Sequence, residues 1–133
     1  MSRNSELAAA TLGHLTGLGI SQFVICAGAR NAPLVTSLLA AGTGLGLKVW
    51  HHFDERAAAF FALGLSKAED GPVAVLTTSG TAAAELLPAA IESYYTGIPL
   101  VLVTADRPEC YRGSGAPQAI EQRGLFGIYA PLS

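Results

Sequence analysis

PVAVLTT (residues 72–78) is the stretch of the chain that decides its fold. It contains no charged residue and is rich in valine, which is typical of a strand that is buried on both faces. The segment that follows, TAAAELLPAAIESYY at 81–95, has the composition of a helix, and we expect Pro88 to bend it. A buried strand followed directly by a helix indicates a crossover unit of a parallel sheet.

The same alternation of strands and helices extends outward from this unit in both directions. The other predicted strands are 22–27, 47–52 and 98–105, and the other predicted helices are 5–18, 32–41, 54–68 and a short piece over 118–126. We expect Asn4 or Ser5 to cap the first helix and Gly42 to end the second. The pattern predicts an α/β fold in a single domain over residues 1–133, with a doubly wound, mainly parallel sheet and helices on both faces.

Composition narrows the classes of function. Half of the 133 residues are hydrophobic, only 14% are charged and the net charge is −2, so the chain is neither a disordered tail nor a basic nucleic-acid binder. So little charge suggests that another domain or subunit covers part of the surface. No apolar run is long enough to span a membrane. Cys26 and Cys110 lack CxxC spacing and the start of the chain is polar, which favours reduced thiols in the cytoplasm.

Polar residues gather directly after the predicted strands, in AGARN, FDER, TTSGT and TADRP. In an open α/β sheet, ligands bind outside the carboxyl ends of the strands. The sequence therefore predicts a binding site on one rim of the sheet. The side chains that it would bring there are Arg30, Glu55, Thr78, Ser79, Thr81 and Arg107.

Each of these segments also has a purely structural interpretation. Asp54 and Glu55 at a helix start would complement the helix dipole, which is worth about 0.3–1 kcal/mol. TTSGT would serve as a helix cap and tight turn, or would present amides and hydroxyls to a ligand. His51 and His52 are neighbours on a strand and point to opposite faces, so they cannot share a metal ion. We expect no metal site in this chain.

The chain closely resembles the N-terminal, pyrimidine-binding domain of thiamine-diphosphate enzymes over about residues 15–130. The resemblance is carried, in order, by CAGARNAPLV, FDERAAAFFALGLSK, PVAVLTTSGTAAAELLPAAIE, PLVLVTADRPE and GAPQAIEQ. It implies that Glu55 is the catalytic glutamate that hydrogen-bonds the 1′ nitrogen of the aminopyrimidine ring, and that Thr78 and Thr81 line the pocket for that ring. A carboxyl group in a partly apolar pocket is readily kept protonated, which suits this role.

Within that family, TADRP followed by GAPQAI resembles the branch that decarboxylates 2-oxoglutarate and adds the resulting carbanion equivalent to isochorismate in menaquinone biosynthesis. The resemblance implies that Arg30, Arg107 and Gln118 contact substrate. Isochorismate carries two carboxylates, which arginine binds through paired donors. Two departures from the family pattern bear on substrate specificity. They are Ala27-Gly28-Ala29 in place of Pro-Gly-Ser and Glu85 in place of Asn.

The resemblance also implies partners. In this family a second domain holds the diphosphate and a divalent cation, Mg²⁺, and this chain has no such motif. We therefore expect residues 1–133 to be the N-terminal domain of a longer homo-oligomeric enzyme, inactive alone, whose site is completed by the diphosphate domain of a partner subunit. Two alternatives stay open: the small subunit of another thiamine-diphosphate oxo-acid decarboxylase, and a non-catalytic α/β ligand-binding domain.

Overall fold

A four-stranded sheet lies at the centre of the fold, in a computed structural model that describes residues 2–131. The strands are β1 Gln22–Ile25, β2 Lys48–His51, β3 Val73–Thr77 and β4 Leu100–Thr104. Their order is β2-β1-β3-β4, and every neighbouring pair is parallel. The chain moves outward from β1 to β2 and then returns to β3 and β4, so the sheet is doubly wound, as the sequence predicted.

Helices cover both faces of this sheet. They are α1 Arg3–Gly17, α2 Ala32–Leu45, α3 Glu55–Glu69, α4 Thr81–Ala84 and α5 Leu87–Thr96, with short 3₁₀ turns at Glu109–Tyr111 and Gly127–Tyr129. On one face, α1 and α2 pack Leu12, Leu15 and Leu38 against the sheet. On the other, α3 and α5 contribute mostly alanines, which lets these helices approach the strands closely.

The strand β3 is buried on both faces, which confirms the interpretation of PVAVLTT. Val73 and Val75 belong to the core on the α3 and α5 side. Ala74 and Leu76 belong to the core on the α1 and α2 side. All four are at most 1% exposed. Because successive side chains alternate between the two cores, no position along the strand tolerates a charge.

The ends of α1 and α2 differ from the prediction. The cap of α1 is Ser2, whose hydroxyl accepts a hydrogen bond from the Ser5 N–H at 3.3 Å, so the helix begins two to three residues earlier than expected. Gly42 does not end α2; it is buried inside the helix, which continues to Leu45. The helix ends where Gly46 adopts a left-handed conformation, with φ of 65°.

Two helix predictions in the second half of the chain were wrong. Residues 81–95 form two helices, α4 and α5, separated at 85–86, instead of one bent helix. Pro88 lies in the first turn of α5, where its missing N–H costs nothing, whereas within one long helix it would leave Ala84 without a donor. The segment 118–126 consists of loops and turns, because Gln118 and Gly124 have positive φ angles of 58° and 70° that a helix cannot contain.

Within residues 2–131, no helix is long and apolar enough to cross a membrane.

Adjacent leucines on α2 provide a test of this packing. Leu38 is 0% exposed and Leu39 is 49% exposed. We expect Leu38→Ala to lower the free energy of unfolding by about 2–5 kcal/mol, because it leaves a cavity against the sheet. Leu39→Ala should change the free energy of unfolding by less than about 1 kcal/mol. Urea denaturation of the two variants checks this; equal losses would contradict the placement of α2.

Candidate functional site

The carboxyl ends of all four strands meet at one rim, formed by the residues that follow each strand: 26–31, 52–55, 78–81 and 105–107. Main-chain hydrogen bonds extend the strand ladder into these segments. They run from the His52 N–H to the Ile25 carbonyl at 3.0 Å, from Cys26 to Leu76 at 2.9 Å and from Ala105 to Thr77 at 3.0 Å. The four segments are therefore held side by side, in the order in which the strands lie.

Glu55 is the first residue of α3, on the segment that follows β2. Its neighbour Asp54 caps the helix, since the Asp54 Oδ1 accepts a hydrogen bond from the Ala57 N–H at 2.6 Å. Glu55 is half-buried, and its carboxylate has no hydrogen bond or ion pair to any residue between 2 and 131. The capping role is thus performed by Asp54, and the Glu55 carboxylate remains available to a ligand.

Cys26, directly after β1, is influenced by the two carboxylates at the start of α3. Burial, and then the negative charges of Glu55 and Asp54, raise the pKa of the Cys26 thiol from 9.0 to about 11. Both carboxylates are therefore near enough to the end of β1 to act on this thiol. The raised pKa also keeps Cys26 as a neutral thiol at physiological pH, unsuited to act as a nucleophile.

The segment after β1 is held by Asn31, a residue that the sequence motifs did not single out. Asn31 is only 3% exposed. Its Oδ1 accepts a hydrogen bond from the Gly28 N–H at 2.8 Å, and its Nδ2 donates one to the Cys26 carbonyl at 3.0 Å. Arg30 is exposed and lines a cavity of about 360 Å³ that also reaches Asp106, at the end of β4.

The two threonines assigned to the cofactor pocket have different environments. Thr78 is 5% exposed, and Gly28 lies so close to it that an added Cβ would be 2.6 Å from the Thr78 Cβ. Thr81 is exposed at the start of α4. The buried hydroxyls of Thr77, Thr78 and Ser79 have no hydrogen-bond partner among residues 2–131. The turn after β3 therefore carries an unusual amount of unused hydrogen-bonding capacity.

The segment after β4 carries Arg107. Its guanidinium lies over the Tyr111 ring, 5.3 Å from the centroid. The neighbouring Arg112 pairs with the carboxylates of this segment, at 3.0 Å to Asp106, 3.6 Å to Glu109 and 3.9 Å to Glu121. Among the residues that the structure describes, Arg107 forms no ion pair and its buried Nε has no hydrogen-bond partner.

Gln118 is exposed and passes directly over the turn after β3. A Cβ added to Gly80 would lie 2.7 Å from the Gln118 Cα, so only glycine fits there. Gln122, another residue outside the sequence motifs' predicted site, fastens the same crossing. Its Oε1 accepts a hydrogen bond from the Gly80 N–H at 2.7 Å, and its Nε2 donates one to the Ala105 carbonyl at 2.9 Å.

A doubly wound parallel sheet with polar groups gathered at its carboxyl ends is typical of ligand-binding α/β domains. Residues 5–125 match the family described as the thiamine pyrophosphate enzyme, N-terminal TPP binding domain, and the chain belongs to this family. The resemblance drawn from the sequence motifs is thereby confirmed.

Particular relatives carry a more specific name, 2-succinyl-5-enolpyruvyl-6-hydroxy-3-cyclohexene-1-carboxylate synthase. The chain is 56% identical over 126 residues to the synthase of Bdellovibrio bacteriovorus, which covers 95% of this chain and 23% of the relative. It is 63% identical over 113 residues to that of Akkermansia muciniphila, covering 85% of this chain and 21% of the relative. The synthase of Halobacterium salinarum is 47% identical over 126 residues, covering 95% and 21%. The chain thus spans less than a quarter of the length of these relatives.

The residues at the rim fit the pyrimidine end of thiamine diphosphate. Glu55 offers a half-buried carboxylate that does not cap the helix, because Asp54 makes the capping hydrogen bond. Such a carboxylate can serve as a partner for a ring nitrogen. The turn after β3 adds unpaired hydroxyls and the exposed Thr81. Within residues 2–131, no three His, Cys, Asp or Glu side chains cluster as they would around a metal ion.

The close crossing at Gly80 gives a testable consequence. Gly80 has φ of 82° and ψ of −137°, and no space for a Cβ. We expect Gly80→Ala to cost about 1–3 kcal/mol in backbone strain and a further 1–3 kcal/mol through the clash with Gln118. Gly97→Ala is the matched control, because Gly97 has φ of 70° but open space, and it should cost only about 1–2 kcal/mol. Equal losses of unfolding free energy in the two variants would show that the segment around Gln118 moves away from residue 80 at no cost in free energy.

Proposed function

We propose that this chain is the N-terminal domain of a thiamine-diphosphate-dependent synthase that decarboxylates 2-oxoglutarate and adds the succinyl carbanion equivalent to isochorismate, in menaquinone biosynthesis. The observation that carries the catalytic part is the Glu55 carboxylate, available at the rim while Asp54 caps the helix. The choice of reaction is supported by relatives at 47–63% identity that bear the name of this synthase.

Glu55 is the catalytic residue of this domain in the proposal. When bound, thiamine diphosphate supplies a nucleophilic carbon that no protein side chain offers. Glu55 shares a proton with the 1′ nitrogen of the pyrimidine ring and thereby fixes the tautomer of that ring. The half-buried position at the start of α3, with no partner within residues 2–131, leaves the carboxyl group able to hydrogen-bond a ring nitrogen. Thr78 and Thr81 line the ring pocket from the turn after β3.

Arg30, Arg107 and Gln118 bind substrate in the proposal. Arg107 is supported by its environment, because Arg112 already neutralises the carboxylates of the same segment and Tyr111 supports the guanidinium plane. A planar guanidinium held in this way binds a carboxylate with two parallel hydrogen bonds. Arg30 lines a cavity that reaches Asp106, the residue before Arg107, which supports a role for both arginines at this part of the rim.

We further propose that Mg²⁺ and the diphosphate are held by another domain, contributed by a partner subunit of a cytoplasmic homo-oligomer. The support is that the relatives are more than four times as long as the matched segment. On this proposal the 133-residue chain alone has no synthase activity. Thiamine diphosphate should also bind it far more weakly than it binds the complete protein.

Replacing Glu55 by glutamine tests the catalytic assignment in the complete enzyme. The amide keeps the size of the side chain but cannot share a proton with the ring nitrogen, so turnover should fall about 10²–10⁴-fold. The rate at which the thiazolium proton exchanges into heavy water should fall by a similar factor. Glu69→Gln, at the opposite end of the same helix and paired with Lys48 at 3.3 Å, is the matched control and should leave both rates unchanged. An unchanged rate of proton exchange in Glu55→Gln would contradict the catalytic role and leave Glu55 only its structural role at the start of the helix.

Arg107→Lys separates the proposed reaction from that of another oxo-acid decarboxylase. Lysine keeps the charge but loses the pair of donors, and a lost charge-assisted hydrogen bond costs roughly 1.5–3 kcal/mol, on the order of ten- to a hundredfold. The loss should appear in the step that consumes isochorismate and not in the decarboxylation of 2-oxoglutarate, with the two half-reactions timed separately. Arg123→Lys, an exposed arginine later in the chain, should affect neither. Equal slowing of both steps by Arg107→Lys would assign Arg107 to the cofactor or the fold, and no slowing of either would remove it from the site.

A further inference from the structure

Gln122 connects two parts of the rim that the proposed function assigns to different ligands. Through its Oε1 it holds the Gly80 N–H, next to Thr81 on the cofactor side. Through its Nε2 it holds the Ala105 carbonyl, two residues before Arg107 on the substrate side. The two hydrogen bonds, at 2.7 and 2.9 Å, span 42 and 17 positions of sequence.

The chemistry of this contact requires an amide. The side chain must accept a hydrogen bond from the Gly80 N–H and at the same time donate one to the Ala105 carbonyl. A neutral amide does so at its two ends, whereas an ionised carboxylate has no proton for the carbonyl and an ammonium group cannot accept. Because both ends of the planar group are fixed to main chain, the contact sets a distance as well as an orientation.

The surroundings leave little room for this distance to change. Gly80 packs so closely under Gln118 that an added Cβ would meet its Cα at 2.7 Å. Gln118 itself has φ of 58°, a conformation that non-glycine residues seldom adopt. On the other side, the Ala105 N–H donates to the Thr77 carbonyl at 3.0 Å. Gln118 and Gln122 thus meet the turn after β3 at the same residue, Gly80.

We propose that Gln122 is a positioning residue for substrate: it fixes the segment that carries Arg107 and Gln118 against the turn that carries Thr81, without touching either ligand. This inference rests on the proposed function, because it takes the two sides of the crossing to serve substrate and cofactor. A residue that only supported the fold would lower the amount of folded enzyme and affect every step alike. A positioning residue raises the KM for the second substrate and spares the first half-reaction.

The test uses Gln122→Met and Gln122→Asn in the complete enzyme. Methionine keeps the length and removes both hydrogen bonds, while asparagine keeps the amide but is one methylene too short to span the two groups. Gln22→Met is the matched control. Gln22 is 4% exposed and accepts a hydrogen bond from the Trp50 Nε1 at 3.1 Å, but it lies at the start of β1, at the end of the strand away from the rim. We expect the KM for isochorismate to rise roughly three- to tenfold per lost hydrogen bond in the Gln122 variants. Per folded active site, decarboxylation of 2-oxoglutarate should change by less than about twofold, and the control should keep both values.

An unchanged KM for isochorismate in the Gln122 variants would overturn the proposal. Equal slowing of both half-reactions would also overturn it, because Gln122 would then serve the fold alone. If Gln122→Met does not fold, Gln122→Asn decides by the same criteria.

Hydrogen exchange of the Gly80 amide separates this inference from the proposed function. Loss of the Gln122 acceptor should speed exchange of that amide at least about tenfold, with no change in Gln22→Met. An enzyme with no synthase activity in the wild type would refute the proposed function while leaving this measurement intact. Unchanged exchange at Gly80 in the Gln122 variants would refute the positioning role whether or not the enzyme is active.

Discussion

Every candidate site residue depends on the burial of β3 between two cores. Val73 and Val75 face one pair of helices and Ala74 and Leu76 the other, so the register of the strand against β1 and β4 is strongly specified. A slip by one residue would exchange the two faces and also shift the turn after the strand. Because β1 and β4 pair with β3 on either side, the position of all the loops at the rim follows from this one strand.

The elements that follow from apolar pattern could be predicted from the sequence. The four strands, their parallel arrangement and the collection of polar residues at the carboxyl ends all come from alternation between two hydrophobic periods. What could not be predicted were features fixed by single local hydrogen bonds of main-chain N–H groups. The start of α1 at the Ser2 cap and the break before α5 depend on which N–H finds an acceptor, and several nearby residues offer similar groups.

Asp54 and Glu55 have different roles at the start of α3, which the sequence alone could not separate. Two adjacent carboxylates at a helix start have a sufficient explanation in the helix dipole and the cap. The structure divides these roles, since Asp54 makes the capping hydrogen bond and Glu55 makes none within residues 2–131. The Glu55 carboxylate therefore forms no hydrogen bond or ion pair within residues 2–131 that would compete with a ligand.

Two amides, Asn31 and Gln122, hold the loops in place, and neither was visible as a site residue in the sequence. Each accepts a hydrogen bond from a glycine N–H and donates to the carbonyl at or just past the end of a strand. Glycine and the strand ends are places where the main chain has unpaired groups, and an amide is the neutral side chain that satisfies a donor and an acceptor together. The partners of these amides are main-chain atoms, and Gly80 lies 42 positions away from Gln122 in the sequence. No pattern of side chains in the sequence therefore reveals these hydrogen bonds. The candidate catalytic and substrate residues at this rim follow from the resemblance of their motifs to the family, whereas the residues that set the distances between them have to be read from the hydrogen bonds.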